Sequence, residues 1–149
     1  VRSFADTTRD KLLKGIERIA RAEAMAAGLD PQKSIWMRVK DDFTPSLYND
    51  PDLAARFTKV LGGLFPASAL HVATPSMGGE DFSRFGRTPD KIPVMLLWLG
   101  AVQKDKYDTA QTGGAPLPAL HSSGFAPDPD PTLAAGVKAM TAAAMDPLK

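Results

Sequence analysis

The sequence predicts an α/β fold. Three observations lead there. A helical stripe of apolar residues runs through residues 8–27. Short segments with strand-like patterning stand on either side of it and recur downstream. Two further helices open on an aspartate–proline step.

Taken in order, "VRSF" is short and β-prone, with apolar residues at alternate positions. "ADTT" supplies helix-start chemistry, with Asp6 or Thr7 as the expected N-cap. Leu12, Leu13, Ile16, Ile19 and Ala20 then form one stripe with charges between them, and Gly28 stands where a helix prefers a left-handed residue. In "SIWMRVK" Ile35, Met37 and Val39 share one face and Trp36, Arg38 and Lys40 the other, the pattern of a half-buried strand. Residues 1–43 thus read strand, helix, strand, which is half of a small two-layer α/β unit.

"TPSLYNDPDL" breaks that pattern. Asp50 and Pro51 open a helix whose stripe is Leu53, Phe57, Val60, Leu61 and Leu64. A boundary is expected at residues 44–49, with 1–43 and 50–149 packing separately. "SALHVAT" is a short strand candidate. "PSMGGEDFSRFGRTPDK" reads as a glycine-rich loop leading into a short helix. "IPVMLLWLG" is a continuous apolar run of strand length, the mark of a strand buried on both faces. Residues 101–130 are rich in Gly, Pro, Asp, Thr and Ser and read as one long loop, a feature usually functional when it occurs in a compact domain. A last helix is expected to be capped by Asp130 and opened by Pro131, with Leu133, Val137, Met140 and Ala144 facing inward.

Composition narrows the function. Of 149 residues, 44% are hydrophobic, which suits a soluble domain with a core. The 18 basic and 17 acidic residues leave a formal net charge of +1, so no electrostatic footprint marks a nucleic acid or an anionic membrane as partner. No apolar run approaches the ~20 residues that span a bilayer. The absence of cysteine removes disulfides, thiolate nucleophiles and cysteine-held zinc. "VRSF" reads as the middle or end of a strand, so the true N-terminus is expected to lie further upstream.

Few residues carry chemistry. His121, in "PLPALHSSGF", is either a surface histidine or a metal ligand or acid–base group placed by its loop, flanked by Leu120 and Phe125 as apolar anchors. Gly78 and Gly79 free the backbone to approach a ligand and expose N–H donors. Glu80 and Asp81 follow at a helix start, where the dipole favours acids, yet adjacent acids do not share a helix face. Arg2 is either a surface charge or a bidentate clamp for a carboxylate. His71 reads as structural. No Ser-His-Asp order, phosphate loop or nucleic-acid motif is present.

The order of these stretches resembles a known family. "VRSFADTTRDKLLKGIERIARAEAMAAG", "TPSLYNDPDLAARF", "PSMGGEDFSRF", an apolar segment ending "WLG", and "LHSSGFAPDPDPTLAAGVKAM" look like the C-terminal half of the metal-dependent amidohydrolases. These are the hippurate hydrolase and N-acyl-amino-acid amidohydrolase group of the aminoacylase/carboxypeptidase superfamily. The resemblance implies a mixed-sheet, zinc-exopeptidase-like catalytic domain holding two divalent metals, zinc or manganese, and an inserted ferredoxin-like domain that often mediates dimerisation. It implies that residues 1–47 are the last part of the inserted domain and 48–149 the return into the catalytic domain. His121 matches the last metal ligand in chain order. Arg2 matches an arginine that reaches the substrate carboxylate. Gly78, Gly79 and Glu80 match the loop beside the substrate, with Glu80 outside the metal shell.

The family's other ligands and its glutamate pair, which supplies the general base, have no counterpart in this chain, so none of its own residues is expected to be the catalytic base. The implied partners are an N-acyl amino acid, the N-terminal half of the same protein and a second copy, in the cytoplasm. The chain alone would be inactive and would not retain the metals, since one histidine does not hold a catalytic ion. The competing expectation is a non-catalytic piece that folds and associates through exposed edges and faces.

Overall fold

The computed structural model describes residues 1–148. They form two compact units, Val1–Asp50 with Thr74–Leu96, and Pro51–Ala73 with residues 97–148. The units interleave along the chain. Asp50/Pro51 lies close to the expected boundary, but Thr74–Leu96 joins the first unit. It is bound there by Asn49, whose side-chain amide donates to the Leu96 carbonyl and accepts from the Leu96 N–H, both at 2.9 Å. The Asp50 N–H adds a bond to the Val94 carbonyl.

In the first unit, helix α1 spans Asp6–Ala26. Its N-cap is Ala5 rather than Asp6 or Thr7, and no side chain caps it. Asp6 instead lies in the first turn, where its charge suits the dipole, and binds Arg87. The C-terminus closes in a Schellman motif. The Leu29 N–H reaches the Ala24 carbonyl, the Gly28 N–H reaches Met25, and Gly28 takes φ +76°. The short helix α2, Pro31–Ser34, is capped by Asp30 and tied to α1 by Arg21, which binds Glu17 and donates to the Pro31 carbonyl. A seven-residue 3-10 turn, Asp81–Arg87, completes the unit.

In the second unit, helix α3 spans Pro51–Gly62 and packs on α5, Pro129–Met145. Phe57 of α3 and Ala139 of α5 are buried in that packing. Arg56 bridges to the Asp146 carboxylate at 2.5 Å and to its carbonyl at 3.0 Å. Lys138 donates to the Leu64 carbonyl at the end of α3 and stands 5.0 Å over the Phe65 ring. Inside the stretch read as one loop, residues 104–111 form helix α4, Lys104–Gln111.

Two expectations need correction. First, no strand is formed among the described residues. Segments 1–4, 35–40 and 91–100 carry no ladder, and the candidate at 68–74 begins inside a 3-10 turn, Ala67–Ala69. The backbone keeps the preference: Ile35 has φ −112°, ψ 120° and Leu70 φ −110°, ψ 120°. What lacks is a partner, and β-propensity becomes a strand only where a neighbour supplies hydrogen bonds and cover. Thus the helices of the α/β expectation are present and a sheet is not. Residues 94–97 are only half-buried, and Trp98 and Leu99 are exposed.

Second, α5 presents the opposite face. Its N-cap is Asp128, two residues earlier than expected. Ala135, Gly136, Ala139, Ala142 and Ala143 turn inward while Leu133, Val137 and Met140 are exposed. Small residues allow a close approach: a Cβ at Gly136 would come within 2.9 Å of Leu99 Cδ2. On α1, likewise, Leu12, Ile16 and Ile19 are exposed.

These exposures add up. The chain presents 11908 Å² of accessible surface. A compact monomer of 15.9 kDa presents about 7,400 Å², and two separate domains of half that mass about 8,900 Å². Against the two separate domains the excess is roughly 3,000 Å².

Candidate functional site

The sequence placed its candidates in two clusters, and they fall in different units. Arg2 and the glycine loop share the first; His121 belongs to the second.

Arg2 donates to the Met77 carbonyl at 2.5 Å. It thus adjoins the loop that holds Gly78, Gly79 and Glu80, and its guanidinium holds that loop's backbone. The Gly78 N–H bonds to Ser76 Oγ at 3.2 Å. Glu80 is the N-cap of the 3-10 turn, its carboxylate accepting from the Phe82 N–H at 3.1 Å. The whole loop is exposed. Glu80 therefore stands at the head of a short helix, and the carboxylates of Glu80 and Asp81 do different work: Asp81 accepts from the Thr44 hydroxyl at 3.0 Å.

Sequence reasoning missed the side chains around Phe43. The Arg9 guanidinium lies 3.8 Å from that ring's centroid and Arg84 lies 5.9 Å from it. Arg84 also donates to the Phe43 carbonyl. Arg87 reaches Asp6 at 2.5 Å and the Ser46 carbonyl at 3.1 Å. The signal was available in the spacing. Asp81, Arg84 and Arg87 are three residues apart, and a 3-10 helix has three residues per turn, so they stack on one face. Ser83 is buried behind them with no partner for its hydroxyl. Gly86 allows close packing, since a Cβ there would meet Val94 Cγ2 at 2.8 Å.

His121 lies in a tight turn, with the Ser122 N–H bonded to the Ala119 carbonyl and Phe125 to Ser122. Its imidazole is exposed: Leu120, its expected anchor, is itself exposed and Phe125 is only half-buried. Two shallow clefts border α4. One of about 200 Å³ lies between residues 102–106 and 126–129, the other of about 330 Å³ between 105–109 and 115–118. Neither includes His121. His71 is also exposed. On α4 one side chain carries a shifted titration. Lys104 is raised above its ordinary value by its hydrogen bond to Asp108 and by the charges of Asp108 and Asp105.

Among the described residues no three His, Asp, Glu or Cys side chains converge closely enough to hold a metal ion. The residues of this chain therefore do not by themselves fit a two-metal centre. No helix among them is long and apolar enough to cross a membrane. No family model, curated protein or solved structure matches the chain.

Proposed function

We propose that this chain is part of a metal-dependent hydrolase, completed by a companion segment that covers its exposed faces. The particular reaction is hydrolysis of the amide bond of an N-acyl amino acid, in the cytoplasm. The observation that carries the need for a companion is the excess of roughly 3,000 Å² of exposed surface. One partner of a standard interface covers about 800 Å², so the excess is of the size of a divided core rather than a docking patch. Segments 35–40 and 91–100, which form no ladder, and the apolar faces of α1 and α5 are what such a companion would cover. The missing sheet of the zinc-exopeptidase-like domain would then form between the two pieces.

The chemistry comes from the motif order. In this reading residues 1–47 belong to an inserted ferredoxin-like domain and 48–149 to the catalytic domain. His121 contributes one ligand to a two-metal site whose other ligands the companion supplies, and its exposed position leaves it free to do so. Arg2 and the loop Gly78–Glu80 form part of the wall that receives the substrate carboxylate. No step of the reaction is assigned to a residue of this chain. The whole assembles as a dimer.

The experiment is co-expression of the chain with the segment encoded immediately upstream, followed by co-purification, metal analysis and hydrolysis of hippurate. A stable complex that binds divalent metal and releases glycine supports the reading. A chain that ignores that segment and instead self-associates favours the alternative, a non-catalytic association module.

A further inference from the structure

We propose that residues 43–46 form a releasable strap, and that the 3-10 turn Asp81–Arg87 is the catch that ties this strap to the glycine loop. The strap is held by side chains, not by a ladder: among the described residues its backbone makes no backbone-to-backbone hydrogen bond. Pro45 explains why. It has no N–H to offer and it confines Thr44 to an extended conformation, so the segment moves as a stiff unit.

The catch is one ridge. Asp81 takes the Thr44 hydroxyl at 3.0 Å, Arg84 takes the Phe43 carbonyl, and Arg87 takes the Ser46 carbonyl at 3.1 Å. All three lie at i, i+3 and i+6 of a single 3-10 turn, where side chains eclipse. They therefore engage or let go together. Arg87 also anchors the ridge to α1 through Asp6, and Arg9 closes over the other side of Phe43. Buried Pro45 and half-buried Phe43 are the apolar seats. The three polar grips are exposed and individually weak, and the exposed Arg87–Asp6 ion pair that anchors their ridge is screened by salt. Such a segment opens locally at little cost.

The same turn ends the glycine loop. Glu80 caps it through the Phe82 N–H, and Arg2 pins the other side of the loop at Met77. Release of the strap removes the support of the turn and so frees the C-terminal anchor of Gly78 and Gly79. The coupling holds whatever ligand the loop receives.

The test is chymotrypsin cleavage after Phe43 and Tyr48, read by mass spectrometry, with amide exchange at Phe82 as a second readout. In Arg84→Ala/Arg87→Ala, cleavage is expected to be about tenfold faster at low salt, and Phe82 exchange to rise with it. Added sodium chloride should speed cleavage of the parent chain and leave the double variant unchanged. Thr44→Val keeps every charge and guards against general unfolding: it should speed cleavage while exchange within α1 stays constant. Arg56→Ala, in the other unit, should leave the strap alone. Unchanged cleavage in the double variant, a parent rate indifferent to salt, or equal exchange gains in α1 and at Phe82 for Thr44→Val would each overturn the proposal.

Discussion

Replacing Phe57 with alanine should strongly destabilise the second unit. Phe57 is 7% exposed and sits on the α3 face that meets α5. Opposite it α5 offers alanines and a glycine, so no other large buried side chain shares the load. A buried phenylalanine cut to alanine costs about 3–5 kcal/mol. A unit of this size has roughly 4–11 kcal/mol in total. Helices with few neighbours can close partly over the gap, so a loss of about 3 kcal/mol is the better figure.

With a urea slope of about 1 kcal/mol/M, that is a fall of roughly 3 M in the midpoint. The assay is urea unfolding followed by circular dichroism and by Trp98 emission in a Trp36→Phe background. Trp36 is largely exposed in the first unit, so its removal leaves one reporter in the second. A midpoint within about 0.5 M of the parent would refute the claim that α3–α5 packing holds this unit.

Three further outcomes follow from local geometry. Asn49→Ala strips both partners from the Leu96 backbone and should cost about 1–3 kcal/mol, seen as faster amide exchange at Leu96. Gly28→Ala has open space around it but must take φ +76°, so it should lower stability by about 1 kcal/mol in a thermal melt. For Lys104 the folded value is raised, so its contribution to α4 is present below the unfolded value and lost as pH rises through the raised one. Helix content should therefore fall at alkaline pH in the parent, and Lys104→Gln should remove that part of the transition.

Helices were legible where an apolar stripe coincided with start and stop chemistry. Pro51 opened α3 and Gly28 closed α1 as read. α4 was not legible because it buries none of its residues. Its support is a Lys104–Asp108 pair one turn apart, embedded in a stretch of Gly, Pro and Asp that hides helical periodicity. The inward face of α5 was misread because small residues, not large ones, let it approach α3 and Leu99. At Ile35 and Leu70 the backbone stays extended, but pairing depends on a neighbour that periodicity cannot supply. For the candidate site, the contact of Arg2 with the Met77 carbonyl beside the glycine loop was not legible, because no local pattern links residues 75 apart. The arginines around Phe43 needed the 3-10 turn to bring them into line, and the exposure of His121 follows from anchors that pack too little to enclose it.

The most direct measurement of the central claim is the metal content of the co-expressed complex, parent against His121→Ala, read alongside hippurate hydrolysis. The variant should still assemble, lose one of the two metal ions and hydrolyse almost nothing. Full metal occupancy with near-parent turnover in His121→Ala would contradict it.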